Sequence, residues 1–208
     1  MNEVKINQLI EAMRKLESYH LETFSSGNIS LREGDFIAIK PSNLSYDEVN
    51  ASNISIVDIK GNHIRGLPPS SDLRAHLSIY KNRKDINCII HTHAHYATVL
   101  AILGKNIKVI STMHADYFGK EIPCLPFTNH RIYNFGEEII KKDSQVYLLE
   151  RHGAVVLGKN IAQAIKFAVV LEEVAKLTYE TLLLLKKNTL NEINLEETKV
   201  FFNNYIPH

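Results

Sequence analysis

The chain has 208 residues, with 24 Lys and Arg against 23 Asp and Glu and a formal net charge of +1. That balance leaves no electrostatic case for nucleic acid or an anionic membrane surface as a partner. Apolar residues make up 45% of the chain, an ordinary content for one globular domain spanning residues 1–208.

Two cysteines, Cys88 and Cys124, are too few for a disulfide framework. Both read as reduced thiols of a cytoplasmic protein. Residues 1–16 alternate charged and apolar side chains and lack the apolar stretch of a secretory signal. No run reaches the roughly 18 apolar residues of a membrane span.

Val4, Ile6, Leu9, Ile10, Met13 and Leu16 recur at helical spacing and predict an N-terminal helix. Ser25-Ser26-Gly27-Asn28 breaks it. Strand-like runs follow at 29–31, 36–39, 54–59 and 63–65, with Gly34-Asp35 and Gly61-Asn62 as turn signals, and predict an antiparallel meander. Pro68-Pro69 stops regular structure, and Ser71 is placed to cap a helix on which Leu73, Leu77 and Tyr80 share a face. The apolar run 86–90 predicts a strand, followed by a helix from about 96 to 103. A strand at 109–111, a polar loop at 112–119, a helix at 135–141 and strands at 146–149 and 154–157 come next. Asn160 then caps a long helix carrying Ala164, Ile165, Ala168, Leu171 and Ala175 on one side. The last twenty or so residues are weakly patterned. The whole predicts a single α/β domain without internal repeats.

Chemistry concentrates in four places. His91 and His93 flank Thr92 at the end of the apolar strand. Alternate side chains of a strand share a face, so the two imidazoles project together and Thr92 turns away. Two imidazoles on a rigid strand are half of a zinc site, and His152 is the candidate third ligand. With ten histidines in the chain, a chance pair of satisfied polar residues is the competing explanation. His95 continues the alternation and competes for the role only if the strand runs past His93. Ser70, Ser71 and Asp72 open a helix, where free N–H groups and hydroxyls suit a phosphate. Asp72 is open to three readings: a carboxylate beside the metal, an acid/base group, or a charge favoured in a first helical turn. Ser25-Ser26-Gly27-Asn28 and Lys40-Pro41-Ser42-Asn43 are polar turns that can form a phosphate nest or be plain turns. The segment from Thr112 to Gly119 gathers Thr112, His114, Asp116 and Tyr117, with Asp116 as an acid/base candidate.

Gly27-Asn28, Pro69-Ser70-Ser71-Asp72, His91-Thr92-His93 and His152-Gly153, in this order and with these separations, resemble the class II aldolase/adducin family over nearly the whole chain. The resemblance implies a mainly antiparallel sheet flanked by helices and a homotetramer with active sites between subunits. It implies a divalent metal, usually zinc, with manganese or cobalt as alternatives, on His91, His93 and His152. The metal would act as a Lewis acid on a phosphorylated ketose during retro-aldol cleavage. Asn28, Ser42, Asn43, Ser70 and Ser71 match the phosphate pocket, with Gly27 and Thr112 as further substrate contacts. Asp72 matches the family's acidic catalytic position.

Within the family, Asp72 after the serine pair and the run His114-Ala115-Asp116-Tyr117-Phe118 look like L-ribulose-5-phosphate 4-epimerases. That reading makes Asp116 an acid/base group and asks for a second one near the C-terminus, where Tyr205 is the candidate. The alternative is an L-fuculose-1-phosphate-type aldolase releasing dihydroxyacetone phosphate, which fits the short segment between Gly119 and His152 better. A methylthioribulose-1-phosphate dehydratase and a non-catalytic adducin-like interaction domain rank below these. A zinc deaminase is set aside, because Pro123-Cys124 is followed by Leu-Pro-Phe instead of a second cysteine.

Overall fold

A computed structural model describes residues 1–22, 24–127, 134–185, 192 and 194–204. Strands β1 (Asn28–Glu33), β2 (Phe36–Ile39), β3 (Ser55–Asp58) and β4 (His63–Arg65) form the expected antiparallel meander. The other edge of β1 pairs with β5 (Cys88–Thr92), which sets Asn28 opposite His91. β8 (Gly153–Gly158) lies beyond β5 with Val155 opposite His91. β7 (Val146–Leu149) and β6 (Cys124–Leu125) complete an eight-stranded sheet of order β4-β3-β2-β1-β5-β8-β7-β6. The β6–β7 pair is parallel and the other pairs are antiparallel, so the sheet is mixed with one parallel edge.

Both faces of the central strands are covered, which is why β5 and β8 are buried along their full length. On one face, Ile29, Leu31, Cys88, Ile90 and Val156 pack with α1 (Glu3–Ser18), α3 (His95–Ile102) and α6 (Ile161–Leu184). On the other, Ile37, Ile39, Ile89, Val155 and Leu157 pack with α2 (Leu73–Asn82) and α5 (Phe135–Ile139). Strand alternation therefore turns Ile89 and His91 toward α2 and α5. It turns Cys88, Ile90 and Thr92 toward α1 and α6. Of the helical face predicted for α1, Val4 in the first turn is exposed, while Ile6, Leu9, Ile10, Met13 and Leu16 are within the core. Each such side chain contributes about 1.5–3 kcal/mol of burial free energy. Asn160 caps α6 as expected, its Oδ1 accepting the Gln163 N–H at 2.9 Å.

Four local expectations change. Residues 109–111 form no strand; an isolated bridge between Ile107 and Ile122 stands nearby. The polar segment after it is a short helix, α4 (Thr112–Phe118), capped by Ser111 and ended by Gly119 at φ 65°. Ser71 does not cap α2: Asp72 occupies the N-cap position, and Ser70 Oγ takes the Asp72 N–H at 3.3 Å. The weakly patterned C-terminal region contains α7 (Leu195–Asn204), which packs on α4. Asn194 and Glu197 exchange reciprocal hydrogen bonds at its start, a capping box that the sequence spells out. Among the described residues, no helix is long and apolar enough to cross a membrane.

Candidate active site

The three histidines converge. One ring nitrogen from each of His91, His93 and His152 lies within 4.8 Å of the others, and the Nε2 atoms of His91 and His93 are 3.0 Å apart. Their rings meet edge to face, with centroids 4.7 to 5.0 Å apart. His91 Nδ1 is 3.0 Å from the carbonyl oxygen of Ala154. A carbonyl only accepts, so Nδ1 carries the proton and Nε2 presents its lone pair to the other two rings. Thr92 turns to the opposite face, where its hydroxyl donates to the Leu21 carbonyl and accepts the Ala94 N–H. β5 ends at Thr92, so His95 leaves the face and begins α3, exposed and against Tyr96.

His152 arrives from the turn between β7 and β8. Arg151 takes a left-handed φ of 59° there, and its N–H is held by the Ala101 carbonyl at 3.1 Å. Gly153 follows because the strands come very close: a Cβ at that position would stand 2.5 Å from the Thr92 oxygen. The donor set fits a divalent cation. Three imidazoles, one already oriented by a backbone carbonyl, leave a coordination side open toward a polar cavity.

That cavity, of about 180 Å³, is lined by the three histidines together with Gly27, Asn28, Ser42, Asn43, Ser70, Ser71 and Asp72. The sequence-predicted phosphate residues thus come together, apart from Thr112. Ser42 Oγ is tied to the Pro69 carbonyl at 2.9 Å, and Ser42 N–H to the Pro68 carbonyl. These bonds lock the 40–43 turn against the start of α2. Asn43 adopts φ 61°, a conformation asparagine tolerates better than most residues. Asp72 accepts a 2.7 Å hydrogen bond from Asn28 Nδ2 and stands 3.9 Å from His91 Nε2. Burial alone would raise its pKa, but His91, His76 and the Asn28 amide outweigh that and hold the carboxyl below the usual range.

Sequence reasoning placed Lys40 in a polar turn without a role of its own, and it passed over Glu22. Lys40 directly follows β2 and lines the same cavity, with 1% of its surface exposed. Its Nζ donates to the Ser25 carbonyl at 3.1 Å and lies 5.1 Å from the Tyr46 ring centre. Burial lowers its pKa, partly offset by the charge of Glu22. Burial raises the Glu22 carboxyl well above its ordinary value. A lysine directly after the apolar run 36–39 was the available signal. Gly27 is obligatory here on two counts. Its φ is 66°, and a Cβ would come within 2.1 Å of Glu22 Oε2 and 2.6 Å of the His91 carbonyl.

Two of the sequence-predicted residues lie elsewhere in the chain. Thr112 and Asp116 sit on α4, and Asp116 borders a separate cavity of about 470 Å³ with Asp85, Lys159 and Phe202. Tyr205 lies outside the described residues.

Residues 7–179 match the family of the class II aldolase and adducin N-terminal domain. The chain belongs to this family. It is 37% identical over 179 residues to a protein named L-fuculose phosphate aldolase from Methanocaldococcus jannaschii, covering 86% of this chain and 98% of that one. A protein of the same name from Methanococcus maripaludis is 35% identical over 174 residues, covering 84% and 96%. Among solved structures, an L-fuculose 1-phosphate aldolase superposes with a TM-score of 0.89 at 27% identity, over 99% of this chain and 97% of the other. The expected family and α/β fold stand. The inclination toward an epimerase gains no support from these relatives, whose names carry the aldolase alternative.

Proposed function

We propose that this chain is a metal-dependent class II aldolase of the L-fuculose-1-phosphate type, cleaving a phosphorylated ketose to dihydroxyacetone phosphate and an aldehyde. The observation that carries the reading is the convergence of His91, His93 and His152 beside Asp72, at a cavity whose other walls are hydroxyls, amides and Lys40. The relatives' names support the substrate class.

In this reading Ser42, Asn43, Ser70 and Ser71 hold the phosphate and Lys40 supplies the balancing charge. Zinc, or manganese or cobalt in its place, would bind the three imidazoles and supply Lewis-acid charge for the ketose oxygens. Asp72 carries the proton at the carbon that becomes part of dihydroxyacetone phosphate. Asp116 of a neighbouring subunit accepts the hydroxyl proton of the departing aldehyde carbon, the carbon–carbon bond breaks with its electron pair left on the carbon that becomes part of dihydroxyacetone phosphate, and Asp72 delivers to that carbon a proton it has taken up from solvent; Asp116 then releases its proton to solvent, so both groups end as carboxylates. Thr112, Asp116 and Tyr205 serve as substrate and acid/base groups for a neighbouring subunit's site in a homotetramer, since α4 lies apart from its own chain's cavity. The enzyme works in the cytoplasm.

The test is incubation of zinc-loaded protein with L-fuculose 1-phosphate and, separately, L-ribulose 5-phosphate. Dihydroxyacetone phosphate, read through NADH oxidation by glycerol-3-phosphate dehydrogenase, is expected from the first and should vanish with a chelator. Interconversion of the second to D-xylulose 5-phosphate, with no cleavage of the first, would replace the aldolase by the epimerase.

A further inference from the structure

One face of β1 is joined to one face of α2 by three successive polar rungs. Asn28 Nδ2 donates to Asp72 Oδ2 at 2.7 Å. Ser30 Oγ lies 2.7 Å from His76 Nδ1 and 2.8 Å from the Tyr80 hydroxyl. Arg32 Nη1 donates to the Tyr80 carbonyl at 2.7 Å, with its guanidinium 5.1 Å from the Tyr80 ring centre. The strand residues are two apart and the helix residues four apart. Two strand residues advance about 6.6 Å and four helical residues about 6 Å, so the two elements stay in step through all three rungs.

The middle rung is sealed: Ser30, His76 and Tyr80 are each 0% exposed. Its protons have one economical direction. The Tyr80 hydroxyl is 3.1 Å from the Ser30 carbonyl, which only accepts. Tyr80 therefore donates there, Ser30 Oγ donates to Tyr80, and His76 Nδ1–H donates to Ser30 Oγ. His76 Nε2, which has no hydrogen-bond partner among the described residues, is then a bare lone pair. The opposite direction would leave it as a buried N–H without an acceptor, the rarer and costlier orphan.

We propose that Ser30 and His76 are positioning residues: the buried rung between them fixes α2 against β1 and so sets where Asp72 stands relative to His91. This rests on the aldolase reading for its kinetic consequence, though not for its geometry. Neither residue touches the cavity, and both act through Asp72. A misplacement of about 1 Å in a reacting group can lower a rate by about a hundredfold.

The variants are Ser30→Ala, His76→Leu and His76→Asn, the last keeping an amide near the position of Nδ1. They are assayed for cleavage of L-fuculose 1-phosphate by the zinc-loaded protein, and ¹⁵N NMR of the wild type reads the His76 tautomer. Ser30→Ala and His76→Leu are expected to lower kcat by roughly tenfold or more with KM within about twofold, and His76→Asn to recover most of the loss. The tautomer is expected to be the Nδ1–H form. Wild-type kcat in Ser30→Ala, a His76→Asn no better than His76→Leu, or an Nε2–H tautomer would each overturn the proposal. Wild-type protein without cleavage activity would remove the aldolase reading instead, and the tautomer would then decide the rung alone.

Discussion

The Nε2 atoms of His91 and His93 lie 3.0 Å apart, with a nitrogen of His152 completing the group within 4.8 Å. Three imidazoles whose ring nitrogens converge on one point gain from a shared cation and repel if each is protonated. Zinc should therefore raise the thermal midpoint of metal-stripped protein in a concentration-dependent way. At a thousandfold excess over Kd the stabilisation is about 4 kcal/mol. His93→Ala should remove most of that shift while leaving the metal-free midpoint near wild type. Calorimetric titration and thermal melts with and without zinc make the measurement, and a midpoint indifferent to zinc would remove the metal centre.

Asp72 is held by one strong neutral donor, the Asn28 amide at 2.7 Å. Asp72→Asn keeps the volume and loses the charge, so zinc binding should persist while kcat falls by about 10²–10⁴, the range for a lost acid/base group. Asn28→Asp should be worse than Asn28→Ala, because it brings a second carboxylate within hydrogen-bonding reach of the first. Steady-state kinetics with zinc titrations on all three variants separate loss of chemistry from loss of metal. Equal zinc affinity and unchanged kcat in Asp72→Asn would exclude Asp72 as the proton carrier.

The legible part of the site is the part that strand periodicity decides. His91 and His93 share a face because β5 is regular through Thr92, and the same alternation sends Thr92 to the Leu21 carbonyl. The cavity residues were legible as turns, yet no local rule says that the 40–43 turn touches the start of α2; the Ser42–Pro69 bond spans 27 residues. Lys40 was legible as part of the 40–43 turn, but its burial was not, because Glu22 and Tyr46 beside it are not marked as neighbours by the sequence. α4 was missed because seven residues are too few to display a helical period, although Ser111 and Gly119 bracket it. At Ser71 the cap rule pointed one residue early. The Asp72 N–H is already taken by Ser70, and Asp72 spends its own side chain on Asn28 and not on the helix.

Glu172, on α6, does for α3 what no local residue does. Its two carboxylate oxygens accept the Tyr96 and Ala97 N–H groups at 2.8 and 2.9 Å, and Ala94 at the N-cap has no side chain to offer. A carboxylate at a helix N-terminus also meets the favourable end of the dipole. Glu172→Ala should cost about 1–3 kcal/mol, as for other lost bonds to a charged group. Glu172→Gln, which keeps one acceptor, should cost less. Because α3 begins two residues after His93, zinc affinity should fall in the same order. Urea unfolding and zinc titration on both variants provide the check; equal stabilities for Gln and Ala would show that the cap does not matter.

His114 predicts how the fold responds to acid. It is fully buried on α4, donates from Nε2 to the Lys120 carbonyl at 3.0 Å, and is held neutral because burial pushes its pKa down from 6.5 to about 4. The unfolded chain takes up a proton at this residue as pH falls through 6.5, while the folded chain does so only near 4. Over that window the unfolded state binds more protons, so stability declines as the pH is lowered. The gap amounts to roughly 3 kcal/mol at full titration. His114→Leu removes the titrating group along with a hydrogen bond. The variant should be less stable than wild type at pH 7, yet lose roughly 3 kcal/mol less between pH 7 and pH 4. Its stability curve should therefore converge on that of wild type as acid is added. Urea unfolding of metal-free protein at one-unit pH intervals measures both curves, and parallel curves would mean that His114 is not the residue that couples this fold to pH.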